Sequence, residues 1–170
     1  MDPVDSENRA PEPPKPLGVP LLCMARSANY VLTQAALRVQ AFRRDPHLQG
    51  DDFADDDALI MALQTHQDLI TASVALLDNA TAVIRLRAPS IDLSDAEAAL
   101  EAANAAGLAV DAMRQSIVSC DLLDDGDAAS VRIVCADTWG LEAEDALAVA
   151  LGHLGRLLTY DTLPLRPNLH

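Results

Sequence analysis

The chain has 170 residues, a formal net charge of −14, and a composition that is half hydrophobic but only 3% aromatic. This length suits one domain, and the negative charge argues against binding to nucleic acid or to anionic membrane surfaces. Aromatic and β-branched strand formers are scarce, whereas Ala and Leu are abundant, which argues against an all-β fold and favours helices.

The first predicted elements are a Pro-rich tail and a helix. We expect residues 1–18 to be disordered, because their prolines alternate with charged residues. Within them Pro11-Glu12-Pro13-Pro14 has the PxxP spacing of a polyproline ligand, a pattern that short Pro-rich tails also show by chance. The first helix is predicted from about Pro20 to Arg44, with apolar residues at steps of three and four: Leu21, Ala25, Ala28, Leu32, Ala35, Val39 and Phe42.

The longest predicted element is a helix from Asp55 to Ala88, a stretch without Pro or Gly. At 1.5 Å per residue it would be roughly 45–50 Å long. A stripe along it has helical spacing: Leu59, Leu63, His66, Ile70, Val74, Leu77 and Ile84. Such a helix cannot bury its stripe alone, so other helices must cover it.

Three further helices are predicted in the second half. Ser94-Asp95-Ala96-Glu97 has the pattern of a capping box, which predicts a third helix that extends to about Cys120. Residues 128–136 fit a short helix or a short strand, and we favour the helix because no second strand is available to pair with it. Its period does not continue into the last helix, predicted over 141–160, so we expect a break near 137–140.

Together these elements predict an all-α fold, an up-and-down bundle of four long helices plus one short helix. The bundle occupies residues 19–160 as a single domain, and residues 161–170 form a C-terminal tail. Acidic residues concentrate at the predicted helix starts and several arginines near the ends, which favours the helix dipoles.

Cysteine usage indicates a reducing compartment. Cys23, Cys120 and Cys135 lack the spacing of a disulfide framework or a zinc site. We find no basic-then-apolar leader and no apolar run long enough to span a membrane, so we expect a cytoplasmic protein. A non-classical secretion signal in the N-terminal tail remains the alternative.

No motif for a metal, a cofactor or a catalytic nucleophile is found in the sequence. A Cys–His pair would escape this search, because such residues meet in space. We therefore expect a non-enzymatic helical interaction module, a regulator, adaptor or accessory subunit, that binds a protein partner or forms a homo-oligomer. An amphipathic coat on an apolar surface fits less well, because the charge is strongly negative and the seams are narrow.

Two residues are candidates for an interface. Trp139, the single Trp, lies at the predicted break, where it either plugs the end of the bundle or anchors a partner. His66 lies in the apolar stripe of the second helix, as a core or an interface histidine.

The alternative function concerns His153. Gly152-His153-Leu154-Gly155-Arg156 resembles the histidine-phosphotransfer domains, which are acidic four-helix bundles. The resemblance implies that His153 accepts a phosphoryl group and that Arg156, three residues later, helps to neutralise it. The family usually has Gly where this chain has Leu157, and the resemblance covers only about five residues. The competing interpretation is a histidine beside the apolar face of a helix.

Overall fold

The computed structural model describes residues 19–44 and 56–162, which are helical apart from short connections and contain no β-strand. The all-α prediction and the prediction of a helical bundle are therefore confirmed. The predicted N-terminal tail lies outside the described residues. So do residues 163–170 of the predicted C-terminal tail.

Within these two ranges the structure has five α-helices: α1 (Val19–Arg43), α2 (Asp56–Arg87), α3 (Ser94–Val118), α4 (Asp125–Cys135) and α5 (Leu141–Thr162). A 3₁₀ turn (Ser119–Leu122) joins α3 to α4, and a π-helical turn (Ala136–Gly140) joins α4 to α5. The four long helices begin and end within two residues of their predicted positions. The ambiguous segment after residue 128 is helical.

The predicted break between the last two helices is absent, and the π turn takes its place. The residues flanking it, Cys135 and Leu141, have ordinary right-handed helical backbone angles. The hydrogen bond of a π turn joins residues five apart instead of four, so the turn absorbs one surplus residue. The buried positions of α4 and α5 therefore stay on one side, and the apolar stripe continues through Ala136, Gly140 and Ala143. The sequence revealed the change of register but not how the backbone accommodates it.

The four long helices pack in neighbouring pairs: α1 contacts α2 and α5, and α3 contacts the same two helices. The core between them is rich in alanine, most of all in α3, where Ala99, Ala103 and Ala106 are fully buried. Small side chains let helix backbones approach closely, and larger ones from the other helices fill the remaining volume. The largest fully buried apolar side chains are Leu32, Val39, Leu63, Ile70, Val110, Met113, Ile117, Leu147 and Leu154.

A polar clamp joins the end of α1 to the start of α5. Arg43 Nε donates to Glu144 Oε2 at 2.9 Å, and Gln40 Nε2 donates to Glu144 Oε1 at 3.1 Å. Gly140 leaves room for this clamp, since a Cβ there would lie 3.3 Å from Cδ of Arg43. The lack of a side chain at residue 140 thus lets the aliphatic part of the Arg43 side chain pass close to the backbone.

The predicted capping box does not form at the start of α3. Ser94 is already helical and its side chain makes no cap, while Glu97 forms an ion pair with Arg85 at the end of α2. Asp92 instead accepts the backbone N–H of Ser94 at 2.9 Å. The helix begins where it was predicted, but a different carboxylate satisfies the free N–H.

Candidate functional site

Three polar side chains meet where the start of α3 crosses α5, and we call them the His153 cluster: Asp95, His153 and Arg156. His153 Nδ1 lies 2.7 Å from Asp95 Oδ1, and Arg156 Nε donates to the same oxygen at 2.9 Å. Leu154, beside the histidine, is buried in the core and fixes the face of α5 that points toward α3. The ring is therefore held at the surface of the bundle in a defined orientation.

The protonation of this histidine follows from its partners. Nδ1 lies close to two groups that require opposite roles of it. The Asp95 carboxylate can only accept a hydrogen bond from Nδ1, whereas Arg156 Nη2, at 2.5 Å, can only donate one to it. We assign the proton to Nδ1, because the carboxylate is the stronger hydrogen-bonding partner. The hydrogen bond from His153, followed by the contacts with Arg156, holds the pKa of the Asp95 carboxyl below its usual value. Nε2 then keeps its lone pair, with Arg156 Nη2 3.4 Å away.

The structure thus brings together the two residues that the sequence had paired, His153 and Arg156, and adds a third. Asp95 was recognised only as an acidic residue at a helix start. It lies 58 residues from His153 in the chain, and no local pattern connects the two. Only the packing of α3 against α5 makes them neighbours.

His66 lies inside the bundle, on the face of α2 that meets α1. Its side chain is 6% exposed, and its ring packs edge-on against Phe42, with centroids 6.2 Å apart. Among the described residues nothing hydrogen-bonds its buried Nδ1. Burial, and secondarily the charge of Arg38, lower the pKa of His66 from 6.5 to about 4. The ring is therefore neutral at physiological pH.

Trp139 lies in the π turn, where it is half-buried and packs against the core. The two interpretations of Trp139, as a plug at one end of the bundle and as an anchor for a partner, both stay predictions. Trp139 and His66 both lie near the last turn of α1, since Arg43 contacts Gly140 and Phe42 contacts His66.

A surface groove runs between α2 and α3, with a volume of about 370 Å³. We call it the α2–α3 groove. Its lining is mostly apolar and comprises Gln67, Ile70, Thr71 and Val74 from α2, with Ala103, Asn104, Gly107, Leu108 and Asp111 from α3. None of these residues had been singled out as a site residue. Gly107 is the residue that could have located the groove from the sequence, because a glycine inside a helix is compatible with a close helix crossing or with a bend.

Gly107 lies where α3 meets α2 and does not mark a bend. The helix α3 is unbroken through this position, and a Cβ on Gly107 would lie 3.4 Å from Cγ2 of Ile70 on α2, an ordinary contact distance. Ala103 and Gly107 add little side-chain bulk to the groove, and its edge carries Leu108, which is 73% exposed. A large apolar side chain this open to water beside an apolar cleft favours occupation of the cleft by another apolar group.

Polar groups close one end of the groove. Asp111 accepts hydrogen bonds from Arg114 at 2.8 Å and from Gln115, and Gln67 reaches it from α2. These donors, Arg114 first, lower the pKa of the Asp111 carboxyl. Asp111 therefore stays ionised, and the guanidinium of Arg114 balances its charge at this end of the groove.

No group of three or more potential metal ligands is found among the described residues. One helix, over Asp57–Arg87, is long and apolar enough to cross a membrane by length and composition, and 33% of its most apolar segment is buried in the bundle. Core helices of soluble proteins pass the same test. The expected absence of a membrane span stays a prediction.

Comparisons of the chain with family models, curated proteins and solved structures found no match in any of the three. The function is therefore inferred from the geometry of the α2–α3 groove and of the His153 cluster.

Proposed function

We propose that this protein is a non-enzymatic, soluble, cytoplasmic interaction module that binds a protein partner through the α2–α3 groove. The observation that supports this most directly is the exposed Leu108 beside a groove with small apolar residues in its floor. Such a module acts as a regulator, adaptor or accessory subunit, without turnover and without a cofactor.

The groove has the features of a site for a helix. Ala103 and Ile70 are fully buried and form the base of the groove. Gly107 is half-buried and has no side chain, so a partner helix can lie close to the backbone of α3 there. The half-buried Val74 offers apolar surface from α2. Covering Leu108 fully would contribute about 1.5–3 kcal/mol to binding before the losses of entropy on association.

The proposal includes the finer arrangement of the helices, an up-and-down bundle of the four long ones. The clamp between Arg43 and Glu144 puts the end of α1 beside the start of α5. The contact between Asp95 and His153 puts the start of α3 beside the later part of α5. Both contacts are those of antiparallel neighbours, which short connections favour.

Site-specific photo-crosslinking tests the groove. A photoreactive amino acid is placed at Leu108 in cells, and the matched control carries it at Val149, an exposed apolar residue of α5. We expect one discrete crosslinked protein from position 108 and none from position 149. No discrete product from position 108, or equal products from both positions, would refute binding at the groove.

The second candidate function is phosphoryl transfer through His153, and its support is the contact with Asp95. The carboxylate accepts a hydrogen bond from the N–H at Nδ1, which orients the ring and leaves Nε2 free as the nucleophile. In the proposed step Nε2 forms a bond to phosphorus while the donor's bond to phosphorus breaks, and the donor's leaving group keeps that electron pair. The proton stays on Nδ1, and Arg156 neutralises the transferred group.

Incubation with a phosphodonor kinase, followed by mapping of acid-labile phosphate, tests this alternative. Label is expected at His153 and not at the buried His66, and His153→Gln is expected to abolish it. An unlabelled His153 in a folded protein would exclude phosphoryl transfer. It would leave the groove proposal unaffected.

A further inference from the structure

The outward surface of α1 differs from the rest of this acidic protein. Residues 19–43 contain no Asp or Glu, although the chain has 26 acidic residues. The outward residues that share one side of α1 are Arg26, Tyr30, Leu37 and Arg44, which we call the α1 face. Tyr30 is 66% exposed and Leu37 is 56% exposed. Exposed Tyr and Arg are enriched in protein-binding surfaces, and no residue of α1 itself is acidic.

The rim of the α2–α3 groove carries the opposite charge. Asp78 follows Val74 by one turn on α2, and Glu101 precedes Asn104 by one turn on α3; both are exposed. At the other end Asp111 is paired with Arg114, so the net acidic charge lies at the end marked by Asp78 and Glu101. A partner for this groove should thus present an Arg or Lys at that end and apolar side chains next to it.

The α1 face matches this requirement in spacing as well as in charge. Along α1, Arg26, Tyr30 and Leu37 are separated by four and seven residues, or about 6 and about 10 Å of helix. Along α2 in the reverse direction, Asp78, Val74 and Gln67 have the same separations. An antiparallel α1 would therefore set Arg26 at the acidic end and Tyr30 over the apolar floor.

We propose that the occupant of the α2–α3 groove is the α1 face of a second copy of this chain. The inference rests on the proposed function, because it names the partner of the same groove. At physiological ionic strength the Debye length is about 8 Å, so charges across the contact attract while the net charges of the two molecules are largely screened.

The two surfaces are different parts of the molecule, so the contact is head-to-tail. A bound pair still has one free groove, on one copy, and one free α1 face, on the other. Such contacts build rings or open chains rather than closed two-fold dimers. One helix in one groove is a small interface, for which we expect a dissociation constant on the order of micromolar or weaker.

Sedimentation of two complementary variants tests the proposal. The α1-face variant carries Arg26→Glu and Leu37→Ser, and the groove variant carries Glu101→Arg and Leu108→Ser. All four positions are exposed, so circular dichroism should confirm an unchanged fold. The matched control, Glu142→Arg with Val149→Ser, makes the same kinds of change on the outer side of α5.

We expect the wild-type protein and the control to form species that grow beyond dimers as their concentration rises. Each variant alone should stay monomeric. An equimolar mixture of the two variants should give a heterodimer and nothing larger, because one intact α1 face and one intact groove remain. A monomeric wild-type protein, continued assembly of either variant, or no heterodimer in the mixture would overturn the proposal. Crosslinking of position 108 to a different protein would retain the groove as an interaction site and reject the second copy as its occupant.

Discussion

The buried His66 makes a quantitative prediction about stability and pH. Its pKa falls from 6.5 to about 4 on folding, mainly because the ring is buried. A tenfold change in proton affinity corresponds to 1.36 kcal/mol, so the full difference corresponds to about 3 kcal/mol. Between pH 6.5 and about 4 the unfolded chain holds a proton that the folded chain does not. The contribution of the neutral ring to the free energy of unfolding is therefore fully present above pH 6.5 and is lost as the pH falls to about 4.

The test compares urea unfolding of the wild-type protein and of His66→Leu from pH 7.5 down to pH 4. Acidic residues titrate in the same range in both proteins, so the difference between the two free energies of unfolding isolates the histidine. As the pH falls from 7.5 to 4, we expect the free energy of unfolding of the variant to rise by about 3 kcal/mol relative to that of the wild type. At pH 7.5 it should already be equal or slightly more stable, because Leu leaves no buried ring nitrogen without a partner. Parallel pH profiles of the two proteins would refute this account.

Further predictions concern helix packing. Gly152→Ala, with no atom within 4 Å of the new Cβ, should raise stability by about 1 kcal/mol, measured by thermal unfolding, because Ala forms helix better than Gly. Gly140→Ala should gain less than Gly152→Ala or lose stability, because the Cβ meets the stem of Arg43; an equal gain at both positions would contradict that contact. Leu147→Ala should cost about 2–5 kcal/mol in urea unfolding, whereas Val149→Ala, an exposed control, should stay within about 0.5 kcal/mol of the wild type.

The helices were predictable because the signals that determine them are local. Apolar residues at steps of three and four mark the buried face of α2, and Pro89 fixes its end. The change of register near 137–140 was predictable for the same reason, since it is a property of the apolar pattern. Either a π turn or a loop can accommodate that change of register, and which of them forms depends on packing against α1.

The sites were less predictable because they are made by distant residues. Glu97 has the spacing of a capping box, yet it forms an ion pair with Arg85 on another helix. Asp95 becomes part of the His153 cluster only when α3 meets α5. The α2–α3 groove depends on the closeness of two helices at Gly107, and a glycine alone does not distinguish a close crossing from a bend.

The π turn also determines how the protein tolerates changes in chain length. Deleting one residue there would let the segment rewind as a regular α-helix. Ala143 and Leu147 would keep their inward direction, because the shortened segment would continue the helical spacing of Ala128, Arg132 and Cys135. A deletion in the middle of α5, where there is no surplus residue, would instead turn every later residue by about 100° around the helix axis. The π turn is therefore a place where the C-terminal half can lose one residue without exposing its apolar stripe.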